Sequence, residues 1–231
     1  MVAKVRRAAG VSAVLDEASL ARAVSRLVKR DGDLARVVEE YGRPALWVRE
    51  PGFETLVLTI LEQQVSLASA AATHARLLAA AGEVTPARLA AMSDEEVRAA
   101  GITRQKSVYL RDLARLIVEG GLDLRGLERM DDDEARAELT KVKGVGAWTA
   151  EIYLLRALMR ADAWPAGDLA LAVALQEVKR LDARPTTREV ERAADAWRPW
   201  RAVAACLLWN HYLKRPADGS KAVKGSDARV G

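Results

Sequence analysis

Phenylalanine occurs once in these 231 residues, at Phe53, and cysteine once, at Cys206. A single cysteine excludes an internal disulfide and a cysteine-ligated iron–sulfur cluster. Its neighbours Ala205 and Leu207 fit a small buried side chain, and the compartment is expected to be reducing, hence cytoplasmic. Long hydrophobic runs are missing: none approaches the ~20 residues of a bilayer span, so no membrane partner is expected. The basic start (Lys4, Arg6, Arg7) leads into a short, weakly apolar run broken at Asp16, which does not make a signal peptide. His74 and His211 lie far apart, and no Cys/His/Asp cluster has ligand spacing. No metal and no other cofactor is expected. Alternating β-branched runs are also absent, which removes the period of a half-buried strand.

Half of the chain is apolar and 29% is charged, the balance of a globular protein with one core or two small lobes sharing one. The net charge of +4 permits contact with nucleic acid without establishing it. Ala, Leu, Arg and Glu dominate, punctuated by Gly, Pro and Asp, so the chain reads as all-α. Helices are predicted over 18–29, 33–41 and 53–80, the last with a break near Gln63-Gln64. Another starts at Thr85-Pro86, and Ser93 with Glu96 makes a capping box before a helix closed by Gly101. Further helices are predicted over 105–119, 131–142, 147–159, about 169–181, 187–197 and 202–213. Residues 1–14 read as a flexible start and 216–231 as a disordered Gly/Ser/Asp/Lys-rich tail.

The most informative stretch is LTKVKGVGAWTA, residues 139–150. A helix ends, Gly144 and Gly146 turn tightly around Val145, and a second helix starts at once. The amides of Gly144, Gly146 and the first turn after them have no intrahelical acceptor and sit at the positive end of a helix dipole. That is an anion site fit for DNA phosphate, gripped without regard to base sequence. From GxG alone a plain helical hairpin with a glycine turn is the stronger reading, and the wider pattern shifts that weight. Val142 and Val145 can pack the turn down, and Trp148, Ile152, Leu155 and Met159 share one apolar face. Some twenty residues on, Asp168 follows Pro165-Ala166-Gly167 and precedes LALAVAL; local context makes it a helix cap.

LTKVKGVGAWTAEIYLLRAL followed by WPAGDLAL resembles the helix–hairpin–helix plus Gly/Pro-Asp signature of a DNA glycosylase superfamily, in particular its 3-methyladenine DNA glycosylase II branch. The likeness covers roughly residues 50–213. It implies an all-α, two-lobed fold with a central cleft: one lobe about 51–165, the other about 15–50 plus 166–215. It implies that Asp168 is the catalytic carboxylate, and that Trp148 and Trp200 line a pocket for a flipped base, with Ile152 and Tyr153 as weaker wall candidates. Core packing is the competing reading for these tryptophans, and the one adopted for Trp164, Trp197 and Trp209. Gln64, beside Gln63, aligns with the residue that plugs the gap in the duplex, although a surface turn is equally open. Gln63, Lys143, Gly144, Val145, Gly146, Ala147 and Arg201 are the other expected DNA contacts. Arg104-Gln105-Lys106 either begins a helix facing DNA or is simply a polar helix start. By the same analogy the hairpin carbonyls can hold a monovalent cation in a DNA complex.

Trp148 stands where bifunctional members carry a lysine nucleophile. The implied activity is therefore monofunctional: hydrolysis of the base–sugar bond of alkylated bases in double-stranded DNA, by a monomer. The alternatives are a bifunctional oxidised-base glycosylase, a non-catalytic DNA-binding module and a purely structural helical protein.

Overall fold

Short polar side chains decide where this chain turns helical. The computed structural model describes residues 13–215. Within them twelve α-helices form: α1 (Glu17–Arg30), α2 (Gly32–Tyr41), α3 (Phe53–Leu61), α4 (Leu67–Ala81), α5 (Pro86–Ala91), α6 (Asp94–Ala99), α7 (Arg104–Val118), α8 (Asp132–Thr140), α9 (Ala147–Arg156), α10 (Leu169–Val178), α11 (Thr187–Asp195) and α12 (Arg201–Lys214). Nine of the twelve start under a Ser, Thr or Asp whose side chain accepts a first-turn amide, including Thr85 and the Ser93–Glu96 box. Extended pairing among the described residues is limited to an isolated antiparallel bridge between Val14 and Arg160. The fold is all-α. No helix of the described residues is long and apolar enough to cross a membrane. The expected flexible start, apart from Ala13 and Val14, and the expected tail lie outside the described residues.

The main helix contacts fall into two sets. In one, α3 packs on α4, α7 and α9, α7 on α5 and α6, and α8 on α9. In the other, α12 packs on α1, α2, α10 and α11. One central helix serves each set: α9 is buried from Thr149 to Arg156, and α12 from Ala202 to Trp209. Helices apolar all round belong in the middle of their neighbours. Backbone bonds stitch the sets together: Leu15 N–H to the Met159 carbonyl (2.7 Å), Ala161 N–H to that of Ala13 (2.9 Å), and Arg49 N–H to that of Arg156 (2.9 Å).

Those stitches explain where the helices depart from the periodic pattern. α9 stops at Arg156 rather than 159, because Met159 turns left-handed (φ 53°) to meet the 13–15 segment. α10 stops at Val178 rather than 181, with Arg180 in the left-handed region (φ 54°) where glycine is the usual terminator. A 3₁₀ turn at Gly126–Arg129 was not expected; the buried Arg160 guanidinium donates to the carbonyls of Leu127, Glu128 and Met130 around it.

Candidate active site

Between α8 and α9 the two glycines do different work. Gly144 has φ +87°, and a side chain there would collide with the Tyr109 ring of α7. Gly146 has open space around it and an ordinary φ of −87°. Val142 and Val145 are each 3% exposed and pin the turn to the core. The Val145 N–H is spent on the Val142 carbonyl (3.0 Å), so Val145 anchors the hairpin and is not itself an expected DNA contact, a correction. α9 starts at Gly146 with no side-chain cap, unlike most helices here. The amides of its first turn are left for an outside acceptor. Gly146 and Ala147 are exposed, and Lys143, two-thirds exposed, stands beside them with Asp112 3.8 Å away.

Asp168 caps α10, its Oδ1 accepting from Leu171 N–H at 2.9 Å. Two indoles also donate to it: Trp209 Nε1 to Oδ1 at 3.2 Å and Trp148 Nε1 to Oδ2 at 2.9 Å. A carboxylate offers about four acceptor positions. The one left is on Oδ2, and the residue is only half-buried. Trp148 lies in the first turn of α9, so the carboxylate is an indole's reach from the hairpin. Cap and reactive group are compatible in one side chain.

Behind Asp168 stands an aromatic and ionic stack. Trp47, half-buried, lies flat on Trp209, with centroids 5.4 Å apart and planes 4° from parallel. The Arg156 guanidinium sits 4.9 Å from the Trp47 ring and 5.4 Å from that of Trp209. Burial pulls Arg156 below its usual value, opposed by Glu62 at 3.1 Å. Glu62 also takes Arg49 at 2.7 Å, so both of its oxygens are engaged and the buried charge is paired.

After Glu62 the chain breaks as expected. Gln64 is exposed and left-handed (φ 58°), with Val65 46% exposed beside it. Gln63 turns the other way: its Nε2 donates to the Gly144 carbonyl and to Thr149 Oγ1, both at 2.8 Å. This corrects its expected role as a DNA contact. Lys106 donates to the carbonyls of Leu61 and Gln63, both at 2.8 Å, and its burial lowers its pKa.

The family described as "HhH-GPD superfamily base excision DNA repair protein" matches residues 57–199, the span holding the Gln64 turn, the hairpin and Asp168. The chain belongs to this family. Among similar HhH-GPD proteins, DNA-3-methyladenine glycosylase 1 of Schizosaccharomyces pombe is 30% identical over 214 residues, 89% of this chain and 92% of that one. A DNA-3-methyladenine glycosylase of Bacillus subtilis is 29% identical over 169 residues, 68% of this chain, which spans 56% of that longer protein. The solved structure of the S. pombe 3-methyladenine DNA glycosylase in complex with abasic DNA matches with a TM-score of 0.75 at 30% identity, covering 81% of this chain and 95% of that one. A DNA-3-methyladenine glycosidase structure from Bacillus halodurans matches with a TM-score of 0.70 at 30% identity, covering 82% and 88%.

Within this HhH-GPD fold several expected site residues lie elsewhere. Ile152 and Tyr153 have no exposed surface, and the Tyr153 hydroxyl accepts the Gly52 N–H at 2.9 Å. They are core behind the site, not pocket wall. Trp200 begins α12 beside Arg26 of α1, 6.0 Å from its ring. Nine residues separate it from Trp209. At about 100° per residue, that turns the two to opposite sides of the axis: the Trp200 ring meets Arg26, whereas Trp209 meets Trp47 and Asp168. Arg201 is held by both carboxylate oxygens of Asp162 at 3.0 Å and is 15% exposed, a tertiary tie and not a free DNA contact. The contacts that sequence reasoning missed are Trp209, Trp47, Arg156 and Glu62. α12 is apolar on every side, so no stripe singled out Trp209. Trp47 lies in the irregular stretch 42–52, where no period operates. Depressions of about 690 Å³ beside Arg180 and about 430 Å³ beside His74 do not include Asp168.

Proposed function

We propose that this chain is a monofunctional DNA glycosylase that hydrolyses the base–sugar bond of alkylated, 3-methyladenine-type bases in duplex DNA, leaving an abasic site for base excision repair. The observation that carries this is Asp168: a half-buried carboxylate oriented by three N–H donors, one of them from the helix that follows the hairpin, with one acceptor position open on Oδ2.

The chemistry asks for such a group. As the base–sugar bond breaks, the electron pair leaves with the base and positive charge builds at C1′. A fixed carboxylate facing that charge, or holding the attacking water, lowers the barrier. The water adds its oxygen to C1′ and gives up a proton, through Asp168 or to solvent. An alkylated purine already carries positive charge and departs without an acid. Its cationic face suits the electron-rich indoles of Trp148 and of the Trp47–Trp209 pair. The α9 amides and Lys143 take the phosphate, and Gln64 fills the space the flipped base leaves. An indole at position 148 cannot form the Schiff base of a lyase step. The protein acts as a monomer, and its single buried cysteine suits a reducing, cytoplasmic compartment.

The test is Asp168→Asn with duplexes bearing one defined alkylated base, scoring abasic sites. Release is expected to fall about 10²–10³-fold, with affinity for an abasic duplex retained and no borohydride-trapped adduct in either protein. Release at the unsubstituted rate removes the proposal, and a trapped adduct favours the bifunctional alternative.

A further inference from the structure

The Gln64 turn and the hairpin meet through one side chain, although Gln63 and Gly144 are 81 residues apart. The Gln63 amide bridges the Gly144 carbonyl and the Thr149 hydroxyl, one on each side of the amides offered to phosphate. From α7, the half-buried Lys106 closes the end of α3 by donating to the Leu61 and Gln63 carbonyls. One turn further along α7, the Tyr109 ring fills the space a side chain at Gly144 would occupy, and its hydroxyl takes the Gln105 amide at 2.6 Å. The same face of α7 thus braces the Gln64 turn with one residue and the hairpin with the next. Gln64 is left as the exposed, left-handed tip of a loop tied down on its α3 side.

We propose that Gln63 and Lys106 are positioning residues that hold the Gln64 turn at a fixed offset from the phosphate hairpin, so that gripping the strand and filling the vacated stack occur as one step. This rests on the glycosylase function proposed above but not on its chemistry, because extrusion of a base is read before any bond breaks. An unbraced turn still permits the hairpin to bind phosphate. What it loses is the placement of Gln64, and a displacement of about 1 Å is enough to cost ~10²-fold in a positioned step.

The experiment uses the full chain and a duplex carrying a fluorescent purine analogue beside a stable lesion mimic. Gln63→Glu replaces the donating amide with an acceptor of the same shape, and Lys106→Met keeps the stem without the ammonium. Each variant is expected to bind undamaged duplex within about threefold of the parent, since that contact belongs to the hairpin. Each is expected to lose about tenfold in the extrusion signal, and the double variant to lose no more than either single, because the two residues serve one device. Lys106→Arg restores part of the signal. An unchanged signal, losses that multiply in the double variant, a parallel loss of grip on undamaged DNA, or no extrusion by the parent each overturns the proposal. Hydrogen exchange on the unsubstituted protein gives a second reading that needs no variant to fold. Undamaged duplex is expected to slow the amides of 63–66 and 144–149 together, and protection of the hairpin alone overturns it. A protein that extrudes bases but releases none sinks the glycosylase reading and leaves this one standing.

Discussion

Asp168 receives indole N–H donors from Trp148 and Trp209, one from each central helix, and replacing the indole at 209 by a phenyl tests what that donor contributes. Trp209→Phe keeps a ring on Trp47 and removes one donor to Oδ1. Release of an alkylated base is expected to fall about tenfold, equivalent to ~1.4 kcal/mol, with a smaller loss of stability than the alanine variant shows. Trp209→Ala also removes the stack and is expected to cost about 3–5 kcal/mol of stability. Single-turnover release and thermal melting separate the two outcomes. Local context at Asp168, after Pro-Ala-Gly at a helix start, announces only the cap; its expected reactive role came from the family likeness of the hairpin and the Asp that follows it. Its indole partner at 209 was not legible, because burial on all sides of α12 erases the period that distinguishes a core ring from a site ring. Burial pushes the neighbouring Cys206 thiol up to about 12, so a thiol reagent is expected to modify it only at the rate of unfolding, with prompt reaction of the native protein as the contrary result.

The hairpin is where an element, not a residue, carries the prediction. Gly144 and Gly146 look alike in GVG, yet one is boxed in and left-handed and the other is open. Gly144→Ala must displace the Tyr109 ring and hold alanine at positive φ, at an expected cost on the order of 1–3 kcal/mol. Gly146→Ala is expected to melt within about 0.5 kcal/mol of the parent, and to show any effect only in salt-dependent DNA binding. Urea unfolding and binding across a salt series measure both. Local sequence made the element readable: a capped α8, a valine pair and a glycine turn. Which glycine the fold depends on was decided by α7, an element whose place beside the hairpin nothing local announces.

Asp31 ties together segments that only the whole fold assembles. It caps α2 at Leu34, takes the Lys179 ammonium at 2.8 Å from beyond α10, and accepts the Trp197 indole at 2.8 Å from before α12. Burial pushes its carboxyl up, but the hydrogen bonds and charge from Lys179 and the bond from Trp197 outweigh it, leaving Asp31 below its ordinary value of 3.8. A carboxylate lowered in the folded state adds stability above its unfolded value, and that stability is lost as the pH falls through the lowered one. Asp31→Asn is therefore expected to be less stable at pH 7, with a flatter decline below about pH 4. Urea titrations at successive pH values check this, and parallel declines for the two proteins would argue against it.

The amino-acid order alone determined the helical class, the helix starts, the hairpin and the carboxylate that follows it. Those features depend on caps, glycines and apolar spacing within a few residues, and local backbone energetics suffices to write them. The tertiary structure decided which indoles reach Asp168, that Trp200, Arg201 and Gln63 are occupied elsewhere, and that α9 ends where an N-terminal segment pairs with it. Each of those outcomes depends on groups brought together from distant parts of the chain, and the competition for a hydrogen-bond partner is settled only once the helices have packed.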